Sequence, residues 1–217
     1  MLTVSIFECG PVATMAYLVC DPEIGSAYVI DAPYDCTTQV LDTASTHGCS
    51  VRDILLTHTH WDHTADCARL KEATGANVFV HCDDLYRLTD PTKHTIWPLP
   101  FVIESVENAK ELSGISGIVK LSGGMPPLRF IHTPGHTEGG VCFIDDVHRR
   151  VFVGDTLFRG SVGRVDLPGG DMKTLTESIR TKLFALDDDF EVCPGHGPTT
   201  TIARERSTNP FVGELAR

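Results

Sequence analysis

The sequence predicts a mixed fold, α/β or α+β, from three observations. Short apolar runs alternate with turn residues through the first third. Stretches of helical periodicity interrupt them. The same alternation returns after a proline-rich segment in the second half. Periodicity alone does not decide whether the resulting sheets stack.

Tyr17-Leu18-Val19 runs into Asp21-Pro22, and Ala27-Tyr28-Val29-Ile30 into Asp31-Ala32-Pro33, which reads as two strands closed by turns. Gln39 to His47 places Val40, Leu41 and Ala44 on one face and is followed by Gly48, the pattern of a helix and its stop. Asp53-Ile54-Leu55-Leu56-Thr57 is a short buried strand. Thr64 to Thr74 reads as a helix stopped by Gly75, and Asn77-Val78-Phe79-Val80 as the next strand. Residues 87–127 carry Pro91, Pro98, Pro100, Pro126 and Pro127, and are expected to form a loop-rich surface excursion near any functional site, with one short helix near Ser105 to Leu112. Leu128-Arg129-Phe130-Ile131, Val141-Cys142-Phe143-Ile144 and Arg150-Val151-Phe152-Val153 are further strands. Asp171 caps a helix with Leu175, Ile179 and Leu183 at intervals of four, and Phe190 to Cys193 closes the series as a strand.

With 217 residues, 41% of them hydrophobic, the chain can bury a substantial core, and one domain over 1–217 is expected. A net charge of −11 argues against a nucleic-acid partner, because phosphate binding needs clustered Lys and Arg. The start, Met1-Leu2-Thr3-Val4-Ser5-Ile6-Phe7-Glu8, has no basic segment before an apolar one, so no signal peptide is read. No apolar run approaches the ~20 residues of a membrane span. The eight cysteines form no Cys-x-x-Cys pair, which points to reduced thiols in a cytoplasmic protein. Homo-oligomerisation is left open.

The chemistry concentrates in Thr57-His58-Thr59-His60-Trp61-Asp62-His63. In an extended segment His58 and His60 point to the same side, while Asp62 and His63 lie where the chain turns into a helix and can face a second point. One short segment can therefore supply two neighbouring ions. Imidazole and carboxylate donors suit zinc, iron or manganese. His136 in Pro134-Gly135-His136-Thr137, Asp155 in Gly154-Asp155-Thr156 and His196 in Pro194-Gly195-His196-Gly197 each follow a predicted strand, where a rigid element presents a loop. His47, His81, His94, His132, His148 and Cys193 are assigned surface or packing roles.

Together these motifs resemble the metallo-β-lactamase superfamily. The resemblance runs from Tyr17 to Phe211, and it implies an α+β fold, a four-layer αβ/βα sandwich with the metal site at the sheet edge. It further implies that His58, His60 and His136 hold one divalent ion, that Asp62, His63 and His196 hold a second, and that Asp155 bridges them. Zinc is the first expectation, with iron or manganese as alternatives. Gly154-Asp155-Thr156-Leu157-Phe158-Arg159-Gly160-Ser161-Val162-Gly163-Arg164, Asp166-Leu167-Pro168-Gly169-Gly170, Gly195-His196-Gly197-Pro198-Thr199-Thr200-Thr201-Ile202 and Thr208-Asn209-Pro210-Phe211 are similar to the short, single-domain glyoxalase II-like hydrolases. Full glyoxalase II enzymes carry a further helical, glutathione-binding domain that is not read here. A modest preference among thiol carriers is therefore expected.

The resemblance implies hydrolysis of a small-molecule thioester such as a hydroxyacylglutathione. On that reading two ions roughly 3.5–4 Å apart would lower the pKa of water, and Asp62 would anchor the hydroxide that attacks the carbonyl. The leaving thiol, with a pKa near ~8.5, needs little help from a general acid. Trp61, Arg159 and Arg164 are the expected substrate contacts. Three other functions fit parts of the pattern. They are a mononuclear iron dioxygenase acting on persulfides, a lactonase or β-lactamase, and a non-enzymatic metal-binding module.

Overall fold

Each half of the chain builds one six-stranded mixed sheet. The computed structural model describes residues 2–214 and residue 216. In the first sheet β1 (Thr3–Cys9), β2 (Thr14–Asp21), β3 (Ser26–Ile30), β4 (Ser50–Leu55), β5 (Asn77–His81) and β6 (Lys110–Leu112) stand in chain order. The first three are antiparallel, and β3 to β6 run parallel. Between them lie α1 (Thr37–Thr46), α2 (Trp61–Thr64), α3 (Cys67–Thr74), α4 (Leu85–Thr89) and α5 (Pro91–His94). The second sheet starts with β7 (Ser116–Val119), β8 (Leu128–His132), β9 (Val141–Asp145) and β10 (Arg150–Gly154). After a hairpin of β11 (Leu157–Phe158) and β12 (Ser161–Val162) and the helix α6 (Met172–Thr181) it is completed by β13 (Glu191–Pro194) and β14 (Thr200–Thr201), with α7 (Ile202–Thr208) following. Its order is β14-β13-β10-β9-β8-β7, and the β10–β13 pair is parallel.

Period-two alternation sorts the strand residues into separate apolar layers. Tyr17, Val19, Tyr28 and Ile30 meet Phe130, Phe143 and Phe152 between the two sheets. Leu18, Cys20, Ala27 and Val29 point the other way, against Val40, Ala44 and Leu70 of α1 and α3. On the far side Cys142, Ile144, Val151 and Val153 pack against Leu175 and Ile179 of α6 and Ile202 of α7. The layers are therefore helix, sheet, sheet, helix, the αβ/βα sandwich. Strands buried on both faces read as continuous apolar runs, which is why the sequence alone does not reveal the stacking.

Most expected elements are present. Gly75 closes α3 in the left-handed region at φ 67°, and the Asp171 carboxylate accepts the Thr174 N–H at 2.7 Å to start α6. Four differences are physical. The expected helix over 64–74 breaks at Asp66, whose side chain caps nothing in α3 and instead accepts the Thr37 N–H and hydroxyl. The helix expected near 105–112 does not form. Asn108 sits at φ 56°, and Lys110–Leu112 pairs in parallel with Phe79–His81 as an edge strand. The excursion is likewise less loop-rich than expected: β6 and β7 lie within it, one at the edge of each sheet. β1 was not read from the sequence at all. It pairs with β2 over seven residues, and its half-exposed pattern lacks the strong apolar run of its neighbours.

The two sheets are stitched together at one edge. Met15 N–H donates to the Gly195 carbonyl at 2.8 Å, and Val141 N–H to the Thr57 carbonyl at 2.8 Å. This edge carries the functional site.

Candidate metal centre

Beyond β4 the chain bends at Thr57, passes through His58-Thr59-His60 without regular structure and enters α2, which begins at Trp61 and carries Asp62 and His63. The second half brings His136 from the β8–β9 connection, Asp155 from the end of β10 and His196 from the end of β13. Because β10 and β13 are parallel, their final residues share one sheet edge. All seven donors expected from the sequence converge there. They form three overlapping groups that could hold an ion: His58, His60 and His136; His58, His63 and Asp155; Asp62, His63 and His196. His60 Nδ1 lies 2.9 Å from His136 Nε2. Asp62 Oδ2 lies 3.2 Å from His196 Nε2. Asp155 reaches both clusters, with Oδ2 3.5 Å from His136 Nε2 and 3.5 Å from His196 Nε2, and Oδ1 3.2 Å from His63 Nε2.

The hydrogen bonds behind the rings test whether these residues suit metal ions. His63 Nδ1 donates to Asp31 at 2.8 Å, His136 Nδ1 to the Arg164 carbonyl at 2.7 Å, and His196 Nδ1 to the Val12 carbonyl at 3.2 Å. Thr57 Oγ1 gives its own proton to Asp31 at 2.7 Å, so it accepts from His58 Nδ1 at 3.1 Å. Each of the four rings thereby binds outward through Nδ1 and turns its Nε2 inward, the arrangement found behind metal-bound histidine. His58 Nε2, His63 Nε2 and Asp155 Oδ1 are buried without a hydrogen-bond partner. Orphaned donor atoms of this kind, aimed at a common point, fit a pair of divalent cations.

The electrostatics are polarised across the cluster. Burial and neighbouring imidazoles push His58 well down, and burial with His136 lowers His60 to about 3. Both rings are neutral at pH 7, the form that can hold a cation. Burial opposes the ionised forms of Asp62 and Asp155, but His63 and the hydrogen bond from His196 hold both carboxyls below their usual range. Around His63 burial is overridden by Asp155, Asp62 and Asp31, which raise it; His196 is pushed up to about 10 by its bonds to Asp155 and Asp62. Asp62 and Asp155 thus stay ionised where these rings meet, and their carboxylates favour a cation there.

Three supporting residues were not singled out from the sequence. Asp31, at φ 58° and fully buried, accepts from Thr57 N, Thr57 Oγ1 and His63 Nδ1. Asp84, also fully buried, accepts from Thr59 N at 3.0 Å, Thr137 Oγ1 at 2.9 Å, Gly139 N at 2.7 Å and Arg87 at 2.9 Å. Thr14 Oγ1 donates to Asp62 at 2.9 Å. For Asp31 a signal existed, an aspartate directly after a fully apolar strand. Gly195 matters for space rather than φ: a Cβ there would overlap Asp155 Oδ1 and sit 2.6 Å from His63 Cε1. Gly195→Ala is therefore expected to displace His63 or Asp155 and to lower the bound metal from two ions to one or none, read by elemental analysis of protein reconstituted beside the parent.

A cavity of about 550 Å3 opens over the cluster, with Trp61, Trp97, Leu99 and Arg164 in its walls. Trp61 and Arg164, two of the three expected substrate contacts, are among the residues that line it. Arg159 is exposed on the β11–β12 hairpin and is not among the residues lining that cavity. His132 stacks on His81 with centroids 4.0 Å apart and donates to the Glu138 carbonyl at 2.7 Å, which tethers the loop carrying His136. Cys193 is buried in the layer between the sheets. No helix among the described residues is long and apolar enough to cross a membrane.

A doubled sheet with a buried imidazole–carboxylate cluster at its edge defines the metallo-hydrolase class. The chain belongs to the metallo-β-lactamase superfamily, whose sequence profile matches residues 9–196. It is 36% identical over 165 residues to the hydroxyacylglutathione hydrolase GloC of Haemophilus influenzae, covering 75% of this chain and 76% of that protein. Among solved structures it superimposes on the BLEG-1 B3 metallo-β-lactamase with a TM-score of 0.88 at 29% identity, over 97% of this chain and 99% of that one. A di-iron-bound form of TTHA1623 matches with a TM-score of 0.74 at 36% identity, over 96% of this chain and 100% of that one.

Proposed function

We propose that this protein is a dinuclear metal-dependent thioester hydrolase that acts on small thioesters such as hydroxyacylglutathiones. The observation that carries the reading is the position of Asp155, within 3.5 Å of ring nitrogens from both ligand clusters. In this reading His58, His60 and His136 hold one ion, Asp62, His63 and His196 the other, and Asp155 joins them. Zinc is the first candidate, and the di-iron form of TTHA1623 makes iron the next. When bound, a pair of divalent ions supplies Lewis acidity and a deprotonated water at neutral pH. Asp62, steadied by the Thr14 hydroxyl, orients the attacking water. The apolar walls of Trp61 and Trp97 hold bulk water away from the scissile carbonyl. Water adds at the carbonyl carbon, the C–S bond breaks, and a carboxylate and a free thiol leave. The name carried by GloC supports the thioester, and the cysteines, none bonded to another, agree with a reducing cytoplasm.

The test is protein reconstituted with zinc or iron, its metal counted, and assayed with lactoylglutathione by release of free thiol. Thiol release that depends on the metal is the expected result. Loaded protein that releases none, yet opens a β-lactam or consumes O₂ with glutathione persulfide, would place it in one of the competing classes.

A further inference from the structure

The walls of the cavity bear on which thioester the site takes. Apart from the proposed ligands, Arg164 is the one charged side chain among the described residues that line it. Its guanidinium is already engaged, with Nε and Nη2 each 2.7 Å from the carboxylate oxygens of Asp166, and it lies over the Trp97 ring at 5.7 Å. Arg87 is buried and bound to Asp84 and Glu138. Lys93 and His94 line a smaller adjoining hollow of about 130 Å3. The cavity over the cluster is otherwise apolar, with Val12, Trp61, Trp97, Leu99, Pro100 and Leu167 around it. Behind this wall Phe101 stacks on Tyr34 with centroids 3.9 Å apart and lies 6.0 Å from Trp61. Trp97 and Val12 remain 40% and 46% exposed, so apolar surface at the mouth is left for a substrate to cover.

We infer that this trough receives the acyl side of the thioester and selects apolar acyl chains in preference to those bearing a carboxylate. The inference narrows the thioesterase reading and rests on it. A carboxylated acyl chain would have to displace Asp166 from Arg164 or leave its charge against indole and aliphatic carbon. An apolar chain gains the area it removes from water, roughly a factor of four for each fully buried methylene.

The two tryptophans of the chain, Trp61 and Trp97, both wall the trough, so intrinsic fluorescence reports its occupancy directly. Metal-loaded protein is titrated with unreactive thioethers of N-acetylcysteamine carrying ethyl, butyl, hexyl or 3-carboxypropyl groups, and kcat/KM is measured for the acetyl, butyryl, hexanoyl and succinyl thioesters of the same carrier. Kd is expected to fall, and kcat/KM to rise, by roughly tenfold or more from the two-carbon to the six-carbon member, with the carboxylated member weakest in both series. Trp97→Ala, at a side chain exposed enough to spare the fold, is expected to flatten both trends. Affinity that ignores chain length or favours the carboxylated thioether overturns the inference. Affinity that rises with chain length in protein that hydrolyses none of the thioesters keeps the apolar preference and removes the thioesterase reading instead.

Discussion

Asp155→Ala is expected to strip both ions from the reconstituted protein and to lower kcat/KM for any hydrolysed substrate by roughly a thousandfold, beyond the 10–100-fold usual for a residue that only supports a ligand. The reason is geometric. The Asp155 carboxylate is the group that stands within 3.5 Å of His63, His136 and His196 at once. His196→Ala removes a donor from one cluster only, so one ion should persist on His58, His60 and His136. Elemental analysis of the two variants beside the parent reads the difference. Two ions and full activity in Asp155→Ala would show that the bridge is assigned to the wrong residue.

The largest effect on stability is expected at Asp84. It is fully buried and takes hydrogen bonds from Thr59, between two proposed ligands, and from Thr137 and Gly139, beside a third. Its partner Arg87 is nearly as buried. Removing one member of such a pair strands the other and costs about 3–5 kcal/mol. Asp84→Ala should lose that much in urea unfolding of the metal-free protein at unchanged m value. Asp84→Asn, which keeps an acceptor oxygen, should lose less. A loss under about 1 kcal/mol for the alanine variant would mean that the carboxylate does not hold these two loops together.

The ligand segment was legible because its information is local. Four donors in six residues after an apolar strand leave few geometries, and each of the other three donors announces itself by a glycine and a strand end. The supporting acids are a different matter. Asp31 and Asp84 work by receiving hydrogen bonds from residues 25 to 55 positions away, and nothing around a lone aspartate tells which distant amide it will meet. The two sheet edges inside the excursion were hidden for a related reason. Lys110–Leu112 is a strand because Phe79–His81 offers it partners, and its own sequence, charged and short, carries no period to read. The cavity wall combines both situations. Trp97 lies in the proline-rich stretch, but its place beside Arg164 follows from packing between separate halves.

His60 and His136 are separated by 76 positions, and Asp62 and His196 also come from opposite halves, so each proposed ion fastens one sheet to the other. In polymer terms it is a reversible crosslink closing a very long loop, made where only a few backbone bonds join the sheets. Free-ion concentration then becomes a variable of the fold as much as of the reaction, worth about 2.7 kcal/mol when it exceeds the dissociation constant a hundredfold. A chelator should loosen that seam first, with the amides of Met15 and Val141 exchanging their hydrogens before those of the sheet interiors. The lifetime of the molecule is in this way tied to the metal supply around it.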